Sequence, residues 1–245
     1  MAKIKKRYGK WGGYLEKLIY EKPKRKVEKE KVNDPDYYVR VDNQFFIMNN
    51  GLIGNVYIYI YIYIYTGLAG YFFVLFTVVV RLFFNKSLSF IFLFLLFLLG
   101  TFFIAYHYTR PKKELVLNRL GGLITIPNTL YFKPYTMPFK DALAAWSVKN
   151  SGINPTGPSL SLLHPNGFTS IDVMGHEVIE DWSFIVWYMD KNRPLPPGSA
   201  FDEYRKSDYE RRKAEGFPKP LYPSKISTPE ATKEQQAERK RIGGW

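Results

Sequence analysis

Leu88–Tyr108, LSFIFLFLLFLLGTFFIAYHY, is the stretch whose reading decides the fold. Its 21 residues include no Asp, Glu, Lys or Arg, and one His, His107, near the end. A helix rising about 1.5 Å per residue over that length matches the roughly 30 Å hydrocarbon layer of a bilayer. Tyr106 and Tyr108 suit a membrane interface, and Arg110, Lys112 and Lys113 end the run. The competing reading is a buried helix, but the remaining chain is too small to enclose one.

Working outward, a second apolar block lies upstream. Gly67–Val80 is apolar but too short to span alone, so it needs residues from one side. On its amino side is the repeat Tyr57-Ile58-Tyr59-Ile60-Tyr61-Ile62-Tyr63-Ile64-Tyr65. A period of two is a strand signature. In lipid, however, a lone strand leaves backbone groups unpaired, which favours helix. One reading runs the helix from about Ile60 to Val80; the other runs it from Gly67 to about Phe84, with Arg81 snorkelling. The connecting loop holds Arg81 and Lys86. A two-helix transmembrane hairpin at about 60–81 and 88–108 is therefore the expectation. The Tyr-Ile repeat also reads as low-complexity sequence without a role.

Composition bounds the rest. The chain has 245 residues, a net charge of +13 and no Cys. Disulfides, thiolate nucleophiles and cysteine metal sites are thereby excluded. Mean hydropathy is −0.22, so most residues outside the apolar blocks are polar. Residues 1–31 hold twelve basic and four acidic side chains, interleaved with Trp11, Tyr14 and Tyr20. Such an arm can contact anionic lipid or nucleic acid, or remain a solvated tail; nucleic acid is the least favoured. The basic residues flanking the hairpin favour cytoplasmic termini by the positive-inside rule. The localisation this implies is a multi-pass protein of a bacterial inner membrane, with the lipid bilayer and a protein as partners.

The order along the chain then reads as a basic arm and interfacial segment (1–55), the hairpin (56–110), a β-rich domain (111–192) and a Pro-rich, charged extension (193–245). In the third region Leu115–Leu117 and Leu123–Ile126 flank the turn Arg119-Leu120-Gly121-Gly122. Gly152–Pro158 reads as a loop. Ser159–Leu163 and Phe168–Val173 flank Pro165-Asn166-Gly167, a strong hairpin signal. From His176 to Lys191, Val178, Ile179, Trp182, Ile185, Val186 and Met189 recur at helical spacing. The expected fold class is membrane α+β: the hairpin, then a small antiparallel, pleckstrin-homology-like β domain capped by this amphipathic helix. In the extension, a charged helix over Ser207–Glu215 should end at Gly216, and Thr228-Pro229-Glu230 should open another. The last twenty or so residues should be loosely held.

The blocks Trp182-Ser183-Phe184-Ile185-Val186-Trp187-Tyr188-Met189-Asp190, Leu195-Pro196-Pro197-Gly198, Phe201-Asp202-Glu203-Tyr204-Arg205 and Arg211–Pro218 resemble an uncharacterised family of bacterial two-span inner-membrane proteins. The resemblance implies a basic start, a hairpin, and an association with antibacterial secretion loci. It implies no activity and no catalytic residue.

Chemistry-bearing motifs are sparse. There is no phosphate loop, no dinucleotide fingerprint and no nucleophile elbow. His176 and Glu180 have i, i+4 spacing, with Glu177 and Asp181 beside them. That turn could hold a metal, but acidic residues at a helix start have a dipole explanation. No catalytic, cofactor or metal residue is assigned. The functional expectation is a non-enzymatic membrane protein whose cytoplasmic β-rich domain binds another protein, for example a toxin in an immunity setting. Trp187, Tyr188, Tyr204 and Arg205 are the candidate partner surface. The alternatives are an anionic-lipid module using the basic arm, and an enzyme or metal protein using the His176–Asp181 turn.

Overall fold

A computed structural model describes residues 13–24, 26–32, 34, 38–49, 65, 67–79, 90–109, 111–128, 131–151, 154–163, 170–172 and 177–245. The chain divides into two compact units. One comprises Met1–Ile53, Lys113–Pro127 and Pro134–Trp245; the other comprises Gly54–Lys112 and Asn128–Lys133.

The first unit is α+β, with two antiparallel sheets. One sheet has the order β1 (Gly13–Leu15), β7 (Leu143–Ser151), β8 (Asn154–Leu163), β9 (Ser170–Asp172). The other runs β2 (Tyr38–Val41), β3 (Phe45–Asn49), β4 (Glu114–Asn118), β5 (Leu123–Ile126), β6 (Tyr135–Pro138). Three helices complete the unit: α3 (Val178–Met189), α4 (Asp202–Ala214) and α5 (Lys233–Gly243).

Alternation explains the second sheet. In β4, Leu115 and Leu117 are buried while their neighbours are half-exposed, and in β5 Ile124 and Ile126 are buried. The β4–β5 register pairs Leu117 with Ile124 across Arg119–Gly122, where Gly122 adopts φ 63°. A left-handed turn position of this kind suits glycine. The inward side chains meet an aromatic cluster around Phe46. Its ring lies 5.2 Å from Tyr38, 5.3 Å from Phe184 and 5.4 Å from Tyr188. Phe201 stacks at 6.5 Å.

The helix α3 is buried on nearly every side, including Glu180, Asp181 and Ser183. Segments from the start of the chain cover the faces that the sheet does not. Trp182 Nε1 donates to the Glu16 carbonyl at 2.6 Å, and Ser183 Oγ accepts from the Tyr20 amide at 3.0 Å. The Ile19 amide bonds to the Pro223 carbonyl, and the Lys225 amide to the Ile19 carbonyl. Val27 lies against Gly198, which adopts φ 144°; a Cβ there would sit 2.5 Å from the Val27 carbonyl oxygen. Glycine in the Leu195–Gly198 block is thus required by close backbone approach.

Several sequence expectations are corrected. A β domain confined to 111–192 gives way to sheets that recruit β1, β2 and β3 from the first fifty residues, so 13–49 is not a free arm. The pleckstrin-homology-like arrangement is replaced by the two sheets above. Gly152–Pro158 is not simply a loop, since β8 begins at Asn154 and pairs Pro155 with Asn150. The last helix starts at Lys233 rather than near Thr228, with Thr232 Oγ1 accepting from the Gln235 amide at 3.2 Å. The carboxyl-terminal segment is not loose, because Glu230 and Arg239 are buried.

The membrane reading is corrected as well. Among the described residues no helix is long and apolar enough to cross a membrane. A span needs about 20 unbroken apolar residues. The described part of α1, 67–79, is about 20 Å long at 1.5 Å per residue. The second helix of that unit, α2, runs over Phe90–Thr109. The transmembrane hairpin, the multi-pass inner-membrane localisation and the topology with both termini cytoplasmic are therefore not upheld. The Tyr-Ile repeat, apart from Tyr65, lies outside the described residues.

Candidate functional site

Two features stand out, one in each unit. In the second unit, α1 and α2 meet through their smallest residues. A Cβ on Gly67 would lie 2.7 Å from Ile104 Cγ1 and 3.2 Å from the Gly100 carbonyl oxygen. A Cβ on Gly100 would lie 3.1 Å from the Gly67 carbonyl oxygen. Tyr71 packs edge-on against Phe97 at 5.3 Å, and its hydroxyl bonds to Thr101 Oγ1 at 2.8 Å. Thr77 and Thr101 also donate to carbonyls of their own helices, Val74 and Phe97. The polar groups of these helices are thus turned inward or satisfied locally. Large apolar side chains lie outside: Phe72 is 71% exposed, Leu75 62%, Phe94 58% and Leu95 57%. Contiguous exposed apolar surface is uncommon on monomeric proteins.

A Gly100→Val variant tests the close contact. The branched side chain would meet the Gly67 carbonyl, and overpacking of this kind costs about 1–3 kcal/mol. The expected readout is loss of a distance-restricted cross-link between cysteines placed at 71 and 97; retention of that cross-link would show that the helices do not depend on the glycine.

The second feature is a buried network of charges in the first unit. Arg119, fully buried, donates to Asp208 and to the Arg193 carbonyl at 2.6 Å. Asp208 also accepts from Arg212 Nε at 2.9 Å and from Arg211 at 3.0 Å. Arg212 then grips Glu230 with both terminal nitrogens, at 2.7 and 2.8 Å. Glu230 Oε1 accepts from Arg239 at 2.9 Å as well. Alongside, Asp190 pairs with Arg193 at 3.0 Å and accepts from the amides of Asn192, Leu221 and Tyr222. The network ties β4–β5, α3, α4 and α5 together.

Its electrostatics follow from burial and pairing. Burial would raise the Asp208 pKa, but Arg119, Arg212 and Arg211 outweigh it and hold the carboxyl below the usual range. Burial lowers Arg119, with Asp208 opposing. Arg212, also buried, is nonetheless raised because two carboxylates flank it. Arg239 is lowered by burial and by the neighbouring cation Arg212, against the pull of Glu230. The Tyr222 phenol is pushed up to about 12 by burial, with Asp190 adding to the shift.

The residues singled out in the sequence are distributed differently from expectation. Arg81, Lys86 and Arg110 lie outside the described residues, as does His176. Tyr106 is buried against Tyr131, with ring centroids 5.2 Å apart, while Tyr108 is 78% exposed. Lys112 is exposed and Lys113 half-buried. Trp187 and Tyr188 are core residues. Trp187 Nε1 donates to the Pro194 carbonyl, and the Tyr188 hydroxyl donates to the Asp42 carbonyl. Their burial removes them from any partner surface. Tyr204 is half-buried against the core, and Arg205 is engaged by the carbonyls of Leu195, Pro196 and Gly198. Arg205 therefore braces the Leu195–Gly198 loop. Among the described residues no cluster of three His, Cys, Asp or Glu side chains could hold a metal ion.

The network was not anticipated in the sequence. A signal was present: Arg119 occupies the inward phase set by Leu115 and Leu117, and Asp208 and Arg212 share an i, i+4 face with buried Tyr209 between them. No protein-family model, no curated protein and no solved structure matches the chain.

Proposed function

We propose that the chain is a non-enzymatic binding protein whose apolar helix pair docks a protein partner. The observation that supports this is the exposure of Phe72, Leu75, Phe94 and Leu95 on helices whose polar groups are satisfied among themselves. Burial of apolar area gives about 25 cal/mol per Å², so aromatic side chains of this size are strong anchors once covered. The face carries no charged side chain in 67–79 or 90–109, so the matching surface is itself apolar and largely uncharged. A second apolar helix or hairpin of another protein fits that description. The α+β unit serves in this reading as the folded body that carries the helix pair.

The test uses a photoreactive amino acid at position 72 or 94 of the full chain, activated in the cells that produce it. Discrete protein adducts, lost when Phe72 and Leu75 are both replaced by Lys, are the expected result. Adducts confined to lipid, or none at all, would overturn the reading.

A further inference from the structure

We propose that the cleft between the segment 220–229 and α5 is a binding site for a phosphate monoester, gripped by Arg239 and Arg193 with Ser227 at its mouth. The cleft has a volume of about 370 Å³, within the size range of small-ligand sites. Arg193, Ser224, Ser227, Gln236, Arg239 and Trp245 line it, and no acidic side chain does.

Charge counting gives the first argument. Among the described residues the buried network contains four arginines, Arg119, Arg193, Arg212 and Arg239, against three carboxylates, Asp190, Asp208 and Glu230. Glu230 is shared, and Arg212 takes it with two hydrogen bonds while Arg239 takes one. The under-compensated cation is therefore Arg239, which lines the cleft. Buried charge of this kind calls for a counter-charge.

Donor counting gives the second. A guanidinium carries five N–H groups. Arg239 places two on Glu230 and the Thr228 carbonyl and one on Gln236. Its Nε has no partner although the residue is only 4% exposed. Arg193 places one N–H each on Asp190, Thr228 Oγ1 and the Tyr222 carbonyl. Among the described residues that leaves a further N–H on each of its terminal nitrogens.

The geometry selects the ligand class. Arg193 follows α3 and Arg239 lies on α5, and the exposed Ser227 lines the same cleft. Two guanidinium groups and a hydroxyl supply more donors than a planar carboxylate needs and suit a tetrahedral oxyanion with three terminal oxygens. The indole of Trp245 stacks on the Arg239 guanidinium at 4.1 Å, and Ile226 and Pro229 add apolar wall. These surfaces can cover the organic group of an ester. This assignment is independent of the docking face on the helix pair.

Titration calorimetry on the full chain decides it, with phenyl phosphate, inorganic phosphate and benzoate as probes. Phenyl phosphate should bind saturably with a Kd below about 1 mM, and benzoate about tenfold more weakly or not at all. Inorganic phosphate binding as tightly as phenyl phosphate would show that the ester group contributes nothing, and would overturn the monoester assignment. Ser227→Glu places a carboxylate at the mouth on an exposed position; it should abolish binding with the melting temperature unchanged. Arg239→Lys keeps the charge but loses the fork, and should weaken binding about tenfold. No saturable heat from any probe, equal binding of benzoate, or full binding by Ser227→Glu would each overturn the proposal.

Discussion

Asp208→Ala should destabilise the α+β unit by about 3–5 kcal/mol, because removing one member of a buried pair strands the charge it compensated. Here Arg119 loses the carboxylate it pairs with, and Arg212 loses one of the two that flank it. Arg119 is fully buried and Arg212 is 1% exposed, and both place N–H groups on this carboxylate. Neither can reach water without opening the contact between α4 and the β4–β5 turn. Urea unfolding followed through the fluorescence of Trp182 and Trp187, both buried, reads the loss directly. The control is Asp202→Ala, which removes an exposed partner of Arg205 and should cost less than about 1 kcal/mol. The same carboxyl sets an acid limit. Its folded pKa lies below that of an unfolded chain, so its contribution is fully present above the ordinary carboxylate range. The contribution is lost as pH falls from about 4 through the folded value. Asp208→Ala should remove that part of the acid transition. An unchanged pH profile would mean that the ion pairs do not hold the unit together.

Phe46→Ala is expected to cost about 3–5 kcal/mol, the range for deleting a fully buried aromatic ring. Phe46 is 0% exposed and is the one ring that touches Tyr38, Phe184, Tyr188 and Phe201 together. Those partners come from β2, α3 and the turn before α4, so no single element can move to fill the void. Phe46→Leu keeps most of the volume and should recover much of the loss. A loss under about 1 kcal/mol for the alanine variant would show that the sheet and α3 collapse around the site.

Local pattern made much of the secondary structure legible. The alternation of Leu115, Leu117, Ile124 and Ile126 places β4 and β5, and the three- and four-residue spacing of apolar side chains places α3. Gly216, at φ 74°, stands just past α4 where a helix end needs a left-handed residue. The same patterns misplaced the start of α5. Thr228-Pro229-Glu230 has the form of a helix opening, but Glu230 lies in the irregular segment before α5, with its carboxylate held by Arg212 and Arg239. The partner surface was misjudged for a related reason. Trp187 and Tyr188 read as exposed, yet Trp187 bonds to the Pro194 carbonyl and Tyr188 packs against Phe46 and Phe201 and bonds to the Asp42 carbonyl.

The sequence by itself determined β4, β5 and α3, the exclusion of cysteine chemistry, and the apolar character of the two central helices. These are properties of neighbouring residues, set by side-chain periodicity and composition. Only the tertiary structure decided that the apolar stretch Leu88–Tyr108 contributes, within the described residues, no helix able to cross a membrane. The fold also decided that residues 13–49 join the sheets, and that charged residues scattered from Arg119 to Arg239 form one buried network. Those outcomes depend on partners far apart in the chain: Arg119 meets Asp208 across 89 positions, a pairing that no local spacing encodes.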